Sequence, residues 1–478
     1  MFKPSLFALC VFSLTCWTCY AQENPYSIVI SETTASDPEW SKVVTALQAK
    51  YPHAKTILWK QQVSETLDKL STEHPRYTCF VAAADEVSRS FVSDVHRLTR
   101  EIDEDPYCDT LWGILTGYDA KNALRIASAD KPLLIERVAS GTEIALSKCK
   151  EGLWYDELVQ HKTVQKTPDN KPTEKTGPAD TTHALADSLS KYRSQLFITS
   201  GHATERNWQI GFRYKNGFFQ SEDGKMFGRT TEGERFRIQS ADPKVYLAVG
   251  NCLMGHIDGP DAMALAWMND VGMNQMVGYT VLTWYGYSGW GILDYFVEQP
   301  GRYTLTEAFH ANQHALIHRI DTYFPTLTKI KINAGSRNLP TSEPTDEGKS
   351  LGLTSFDSRG LLWDRDTVAF YGDPGWEAKM SNMPRAYEQK LTVEQDVYTF
   401  EITRNEAEKS FDPINTNGSQ RGGRPVIHFL PNRVGEIELI SGHELQPTIS
   451  DDFILIANEK VKNHSGPIML KFRASPAP

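Results

Sequence analysis

The sequence predicts an α/β protein: doubly wound sheets in two subdomains, followed by a C-terminal β-sandwich. Three observations carry that expectation. Apolar runs of strand length alternate with amphipathic helical stretches from residue 26 to about 150, and again from 181 to about 383. Two of these runs, about fifty residues apart, end on small residues with a histidine or a cysteine next in line. After residue 385 the helical periodicity gives way to short strands separated by polar turns.

Taken in order, residues 1–21 read as a signal peptide. Lys3 supplies the positive start, Leu6 to Leu14 the apolar stretch, and Cys19-Tyr-Ala21 a small-residue cleavage site before Gln22. No later run of about eighteen apolar residues follows, so the expected product is exported, periplasmic or extracellular, with no stable membrane insertion after cleavage. Residues 22–160 form an N-terminal α/β subdomain. Strands are expected at 27–30, 56–59 and 77–83. Asp37 caps a helix whose first position is Pro38, with Trp40, Val43, Val44 and Leu47 as its apolar stripe. Val87, Phe91, Val95, Leu98 and Ile102 mark one face of another helix. Residues 161–180, rich in Lys, Thr and Pro, are expected to be an exposed loop. Residues 181–384 form the second α/β subdomain and 385–478 the sandwich.

A formal net charge of −10 and the lack of a basic patch argue against nucleic acid as a partner. Beyond the signal segment four cysteines remain: Cys79, Cys108, Cys149 and Cys252. With Cys252 as a free nucleophile, an oxidising compartment can use at most one pair, and Cys108 with Cys149 is the favoured one. Cys79 lies inside an apolar strand and reads as packing.

The chemistry-bearing segments are Gln195-Leu-Phe-Ile-Thr-Ser-Gly-His202-Ala-Thr-Glu-Arg-Asn-Trp208 and Lys244-Val-Tyr-Leu-Ala-Val-Gly-Asn-Cys252-Leu-Met-Gly255. Each begins as a strand buried on both faces would read. In open α/β sheets the functional crevice lies beyond the carboxyl ends of the strands. As parallel neighbours, these two would deliver His202 and Cys252 to one edge. An imidazole beside a thiol favours a thiolate nucleophile and then serves as general acid. Singly, such a cysteine is more often a packed hydrophobe and such a histidine a satisfied polar residue; the matched strand-then-turn contexts join them. His256 is a conceivable second base, weighed against a polar loop residue. Thr304 and Glu307 form a capping box opening a long helix. On it His310, His314 and His318 share a face, read as partly exposed rather than as a zinc site.

Ser200-Gly-His202-Ala-Thr-Glu205-Arg-Asn-Trp208 resembles the histidine motif of the gingipain-type cysteine peptidases, in the caspase–hemoglobinase clan, and Tyr246-Leu-Ala-Val-Gly-Asn-Cys252 resembles their nucleophile motif. Gln275-Met-Val-Gly-Tyr-Thr-Val-Leu-Thr-Trp284-Tyr-Gly286 is similar to the strand and loop walling the family's specificity pocket. The resemblance implies caspase-like subdomains and an immunoglobulin-like C-terminal module. It implies a catalytic dyad of His202 and Cys252, and an oxyanion hole from the amides of Cys252 and of Gly201 or Ala203. Trp284 and Tyr285 would line the substrate pocket. Arginine-specific members send an aspartate there from the N-terminal subdomain; Asp109 matches best and Asp119 is the alternative, against a reading of both as water-facing loop carboxylates. Glu205 is a candidate to orient His202. The family usually has glycine after the histidine, and Ala203 can offer its N–H only where the backbone avoids positive φ. No cofactor is required; calcium is common in the family, yet no loop here has a recognisable ligand pattern. The expected function is an exported cysteine endopeptidase acting on protein or peptide. The alternatives are a thiol amidase or transpeptidase on the same fold, and a catalytically silent binding protein.

Overall fold

In the computed structural model, which describes residues 25–405, 411, 412, 414 and 424–477, the apolar runs assemble into one twelve-stranded sheet. The expected signal segment lies outside the described residues. Across the sheet the order is Lys55–Trp59, Tyr26–Ser31, Tyr77–Val81, Leu111–Leu115, Val368–Tyr371, Met273–Tyr279, Lys244–Ala248, Leu196–Thr199, Arg137–Ser140, Glu151–Tyr155, Lys162–Lys166 and Thr173–Thr176. The first five strands are parallel to one another. The next five are also mutually parallel. The two sets meet antiparallel, Tyr279 opposite Val368. The carboxyl ends of one set therefore lie on the same rim as the amino ends of the other.

This differs from two separate sheets. The strands at the join, Met273–Tyr279 and Val368–Tyr371, are buried along their whole length, so no solvent boundary divides the halves. The division also falls earlier than residue 160, because Arg137–Ser140 and Glu151–Tyr155 extend the second half beyond the histidine strand. Residues 161–180 are not a plain loop: Lys162–Lys166 and Thr173–Thr176 form an antiparallel hairpin at the sheet edge. Lys and Thr suit an exposed edge strand, and with so little of it buried there is no apolar alternation to betray it.

Asp37 caps the Pro38–Lys50 helix, accepting from the amides of Glu39 and Trp40, and Ser88 caps Arg89–Leu98. Thr304 and Glu307 make their capping box on Leu305–Tyr323. That helix is core on nearly all sides, which corrects the partly exposed face expected for its histidines. His310 Nε2 lies 2.9 Å from the Trp112 amide, and the His314 ring stacks on Phe453 at 4.4 Å. Burial pushes His314 down to about 3 and His318 to about 4, so both are neutral. Cys108 and Cys149 are free and buried rather than paired. Their strands stand six positions apart in the sheet, about 29 Å at the usual spacing, far beyond a disulfide's reach. Burial pushes each thiol up to about 12.

The C-terminal part forms two antiparallel sheets, one of four strands and one of three. They share an apolar cluster that includes Phe400, Ile402, Val426, Ile454, Ile456, Leu470 and Phe472. The alternate residues of the smaller sheet, Ile427, Phe429, Phe453 and Leu455, pack instead into the main core. Period-two geometry thus serves two cores from one pair of strands, and the apolar run at 453–457 reads as continuous for that reason.

Candidate functional site

The Leu196–Thr199 and Lys244–Ala248 strands are parallel neighbours, with Thr199 opposite Ala248 and the Val249 N–H donating to Thr199 O at 3.0 Å. Both chains then leave the sheet at one rim. His202 comes three residues beyond its strand and is exposed; Cys252 comes four beyond its own and is partly exposed.

Asn251, wholly buried just before the cysteine, ties the two turns together. Its Nδ2 donates to Gly201 O at 3.1 Å, and its Oδ1 accepts from Thr199 Oγ1 at 2.5 Å. Trp208 Nε1 donates to Ser200 O at 2.8 Å and pins the other side. The turns approach so closely that a side chain on Gly250 would run into Ser200 Oγ. Gly201 takes φ +95, the conformation that glycine alone adopts without strain. Ala203 is not among the positive-φ residues, so alanine there needs no strained backbone to present its amide. Leu253, directly after the cysteine, does take a positive φ of 60.

The Thr283 N–H donates to Cys252 Sγ at 3.3 Å, and Thr283 Oγ1 donates to Asn251 O at 2.9 Å. Thr283 also begins the aromatic loop, so nucleophile and loop are joined by two hydrogen bonds. Trp284, 46% exposed, stacks on Trp363 with ring centres 4.4 Å apart, and Arg337 lies over its ring. Tyr285 packs against Phe356, itself largely exposed. Tyr287 and Trp290, the next aromatic residues along the chain, turn inward on the Tyr287–Phe296 helix. Across the rim the His202 ring stacks on the exposed Phe212 at 4.5 Å.

One carboxylate escaped the sequence reading. Glu157 follows the Glu151–Tyr155 strand, at the same rim two strands from the histidine strand. Its carbonyl accepts from the amides of Phe212 and Arg213, and its carboxylate accepts from Thr142 Oγ1 at 2.9 Å. A side chain on Gly201 would lie 3.2 Å from Glu157 Oε2. Burial pushes this carboxyl up to about 7. Nothing in its local sequence marks it, because its neighbours are all remote in the chain.

Other candidates sit elsewhere. Asp119 follows the carboxyl end of Leu111–Leu115, which runs opposite to the cysteine strand, and so lies towards the far rim. There it accepts from the Asn122 amide as a helix cap. Asp109 precedes that strand, on the near rim, two positions from the Met273–Tyr279 strand that leads into the aromatic loop. It is buried among Asp103, Asp105 and Asp452 at the C-terminal module; desolvation and Asp103 push its carboxyl up to about 10. The expected contribution of either aspartate to a pocket at Trp284 is therefore corrected: Asp119 holds a helix end and Asp109 a module junction. Glu205 groups with His256 and Asp258, ligand atoms within 4.8 Å, yet both Asp258 oxygens are held by Arg206 at 2.5 and 2.9 Å. Burial and Arg89 hold His256 below the usual histidine range.

No family model and no curated protein matches the chain. Among solved structures it is similar to a complex of Porphyromonas gingivalis RgpB pro- and mature domains, at 9% identity over 95% of this chain and 99% of that one, with a TM-score of 0.42. It is also similar to a structure described as a protease, at 9% identity over 79% and 84%, with a TM-score of 0.40. At such scores the chemistry of this chain rests on its own geometry. Among the described residues no helix is long and apolar enough to cross a membrane.

Proposed function

We propose that the chain is an exported cysteine endopeptidase of the gingipain type, with a caspase-like α/β unit and an immunoglobulin-like C-terminal module. Cys252 attacks the peptide carbonyl carbon, and His202 takes the thiol proton and returns it to the leaving amine. The amides of Cys252 and of Gly201 or Ala203 receive the oxyanion. Glu157, beside the histidine turn, orients that turn. Trp284, Tyr285 and Phe212 hold the peptide on either side.

One observation carries this reading. At the rim where His202 emerges, the Cys252 sulfur accepts an amide hydrogen bond from Thr283, the residue that opens an exposed aromatic loop. The buried Cys79 and Cys108 also have hydrogen-bond partners at sulfur, so what sets Cys252 apart is its partial exposure at the rim beside that loop. The thiol amidase and transpeptidase alternatives share this machinery and differ in the acceptor of the acyl group. The silent binding protein drew its support from Ala203, whose backbone is ordinary. With neither Asp109 nor Asp119 at the aromatic loop, a preference for arginine before the cut is not expected. The test is a peptide-library cleavage profile of the mature chain with Cys252→Ala as control; turnover that survives the substitution rules the mechanism out, and acyl transfer to an added amine in place of hydrolysis favours the transpeptidase.

A further inference from the structure

We propose that the aromatic loop beside Cys252 is a receptor for an acidic side chain, so that the peptide this chain cuts carries aspartate or glutamate on the acyl side of the scissile bond. The placing of that residue relative to the cut rests on the peptidase reading; the receptor itself does not.

The Ser355–Arg365 helix builds the shelf, carrying Phe356, Arg359 and Trp363 at the spacing that puts side chains on one helix face. Gly360 lets the helix come close, since a side chain there would run into the Tyr285 ring. Trp363, fixed by its Nε1 donating to Leu282 O at 2.9 Å, stacks on Trp284. The exposed Arg337 brings its guanidinium over the same Trp284 ring, 5.4 Å from the ring centre. Arg359 Nη2 donates to the Arg337 carbonyl at 3.1 Å, which ties the two cationic residues together. A third guanidinium comes from the other subdomain. Arg89 Nε donates to Thr280 O at 2.7 Å, just before Thr283, the donor to the Cys252 sulfur. A side chain on Gly335 would lie 3.3 Å from Arg89 Nη1, so Arg89 also adjoins the segment that carries Arg337.

Among the described residues no carboxylate takes up any of these three guanidinium groups. The chain as a whole has a net charge of −10, and elsewhere arginines such as Arg206 and Arg433 are paired with aspartates. The acids behind the loop are engaged inward. Asp364 accepts from Tyr279 Oη at 2.9 Å and from the Ser288 amide at 3.0 Å. Asp357 closes a capping box with Thr354 and accepts from Tyr287 Oη. On the histidine side the exposed Arg213 adds positive charge, Asp156 pairs with Lys162 and Asp258 with Arg206; Glu205 and the buried Glu157 are the acids that oppose it.

An aromatic face attracts a guanidinium without neutralising it, which leaves the planar fork of N–H donors open to a carboxylate. Grouped charges of one sign over apolar walls focus their field on the cleft and draw in a ligand of the opposite sign. An arginine or lysine side chain at the shelf would meet like charge with no counter-charge beside it. An apolar side chain would gain the ring contacts alone.

The test gives the full mature chain three quenched peptides that differ only at the residue before the cut: glutamate, leucine or arginine. We expect kcat/KM to be about tenfold or more higher for glutamate than for leucine, with arginine the poorest. That advantage should shrink as sodium chloride rises from about 0.05 to about 0.5 M. Arg337→Glu should raise KM for the glutamate peptide and improve the arginine peptide, reversing their order; impairment of all three alike would mean a structural role and overturn the proposal. Isothermal titration of the Cys252→Ala chain, with and without Arg337→Glu, reads binding in the absence of turnover. Equal cleavage of the three peptides, or a preference for arginine, overturns the receptor and leaves the peptidase standing. Binding of the glutamate peptide that Arg337→Glu removes, with no cleavage by the unsubstituted chain, overturns the peptidase and leaves the receptor standing. Neither cleavage nor binding overturns both.

Discussion

Cys79 and Cys252 are carried by two strands from opposite halves of the sheet that read alike in sequence, each an apolar run buried on both faces. Cys79 sits in the middle of Tyr77–Val81, fully enclosed, and burial with Asp373 nearby drives its thiol far above the usual range. Cys252 lies four residues past the end of its strand, partly open to solvent, with an amide donor on its sulfur and a histidine leaving the neighbouring strand. The residue type and the strand type are the same. What differs is whether the sheet has ended before the thiol arrives, since only beyond the edge can a base and a substrate reach it.

The sharpest break of that comparison is Cys252→Ala. Peptide hydrolysis should fall by about a thousandfold or more, and iodoacetamide should label Cys252 in the wild type well before Cys79, Cys108 or Cys149, as read by mass spectrometry of timed samples. Equal labelling of all four would remove the distinction. His202→Ala follows, with an expected loss of about 10²–10⁴ in kcat. Trp284→Ala tests whether the aromatic loop contacts the peptide: KM should rise about tenfold with kcat little changed, whereas a purely structural loop would lower both thermal stability and kcat.

The smallest effect concerns Glu157→Gln and stability against pH. The native carboxyl keeps its proton up to about 7, while the ordinary value is 4.5. Between those values the folded state binds more protons than the unfolded one, so this group's contribution is full at low pH and is lost as pH rises through the window. The glutamine variant should therefore gain on the wild type from pH 4.5 to 7 and hold a constant advantage above, at most about 3 kcal/mol. Parallel unfolding curves at every pH would show that the carboxyl is not perturbed.

How much of this was legible depended on sequence distance. The helix caps at Asp37 and Thr304 were written within three or four residues, because a cap is satisfied by its own first turn. The His202 and Cys252 turns were legible because an apolar run ending in a small residue marks a strand end. Glu157 was invisible: its place beside Gly201 comes from strand order, not from its neighbours in the chain. Asp119 was expected at the pocket because no local pattern told that its strand runs against the cysteine strand, and Asp109 because none told that it would be buried against the C-terminal module. The hairpin within 161–180 was missed for another reason, since a strand with so little buried carries no alternation to detect.

The chain by itself determined the element types, the two strand ends carrying an imidazole and a thiol, and the change to short strands after residue 385. Those follow from side-chain periodicity and short-range hydrogen bonding, which act over a few residues. Only the tertiary structure decided that the two α/β halves fuse into one sheet, that the Thr283 amide meets the Cys252 sulfur, and that Arg337 lies over the Trp284 ring. Each of these is a contact between segments tens to hundreds of residues apart. Such contacts are selected by shared burial and strand order across the whole molecule, and no local pattern records them.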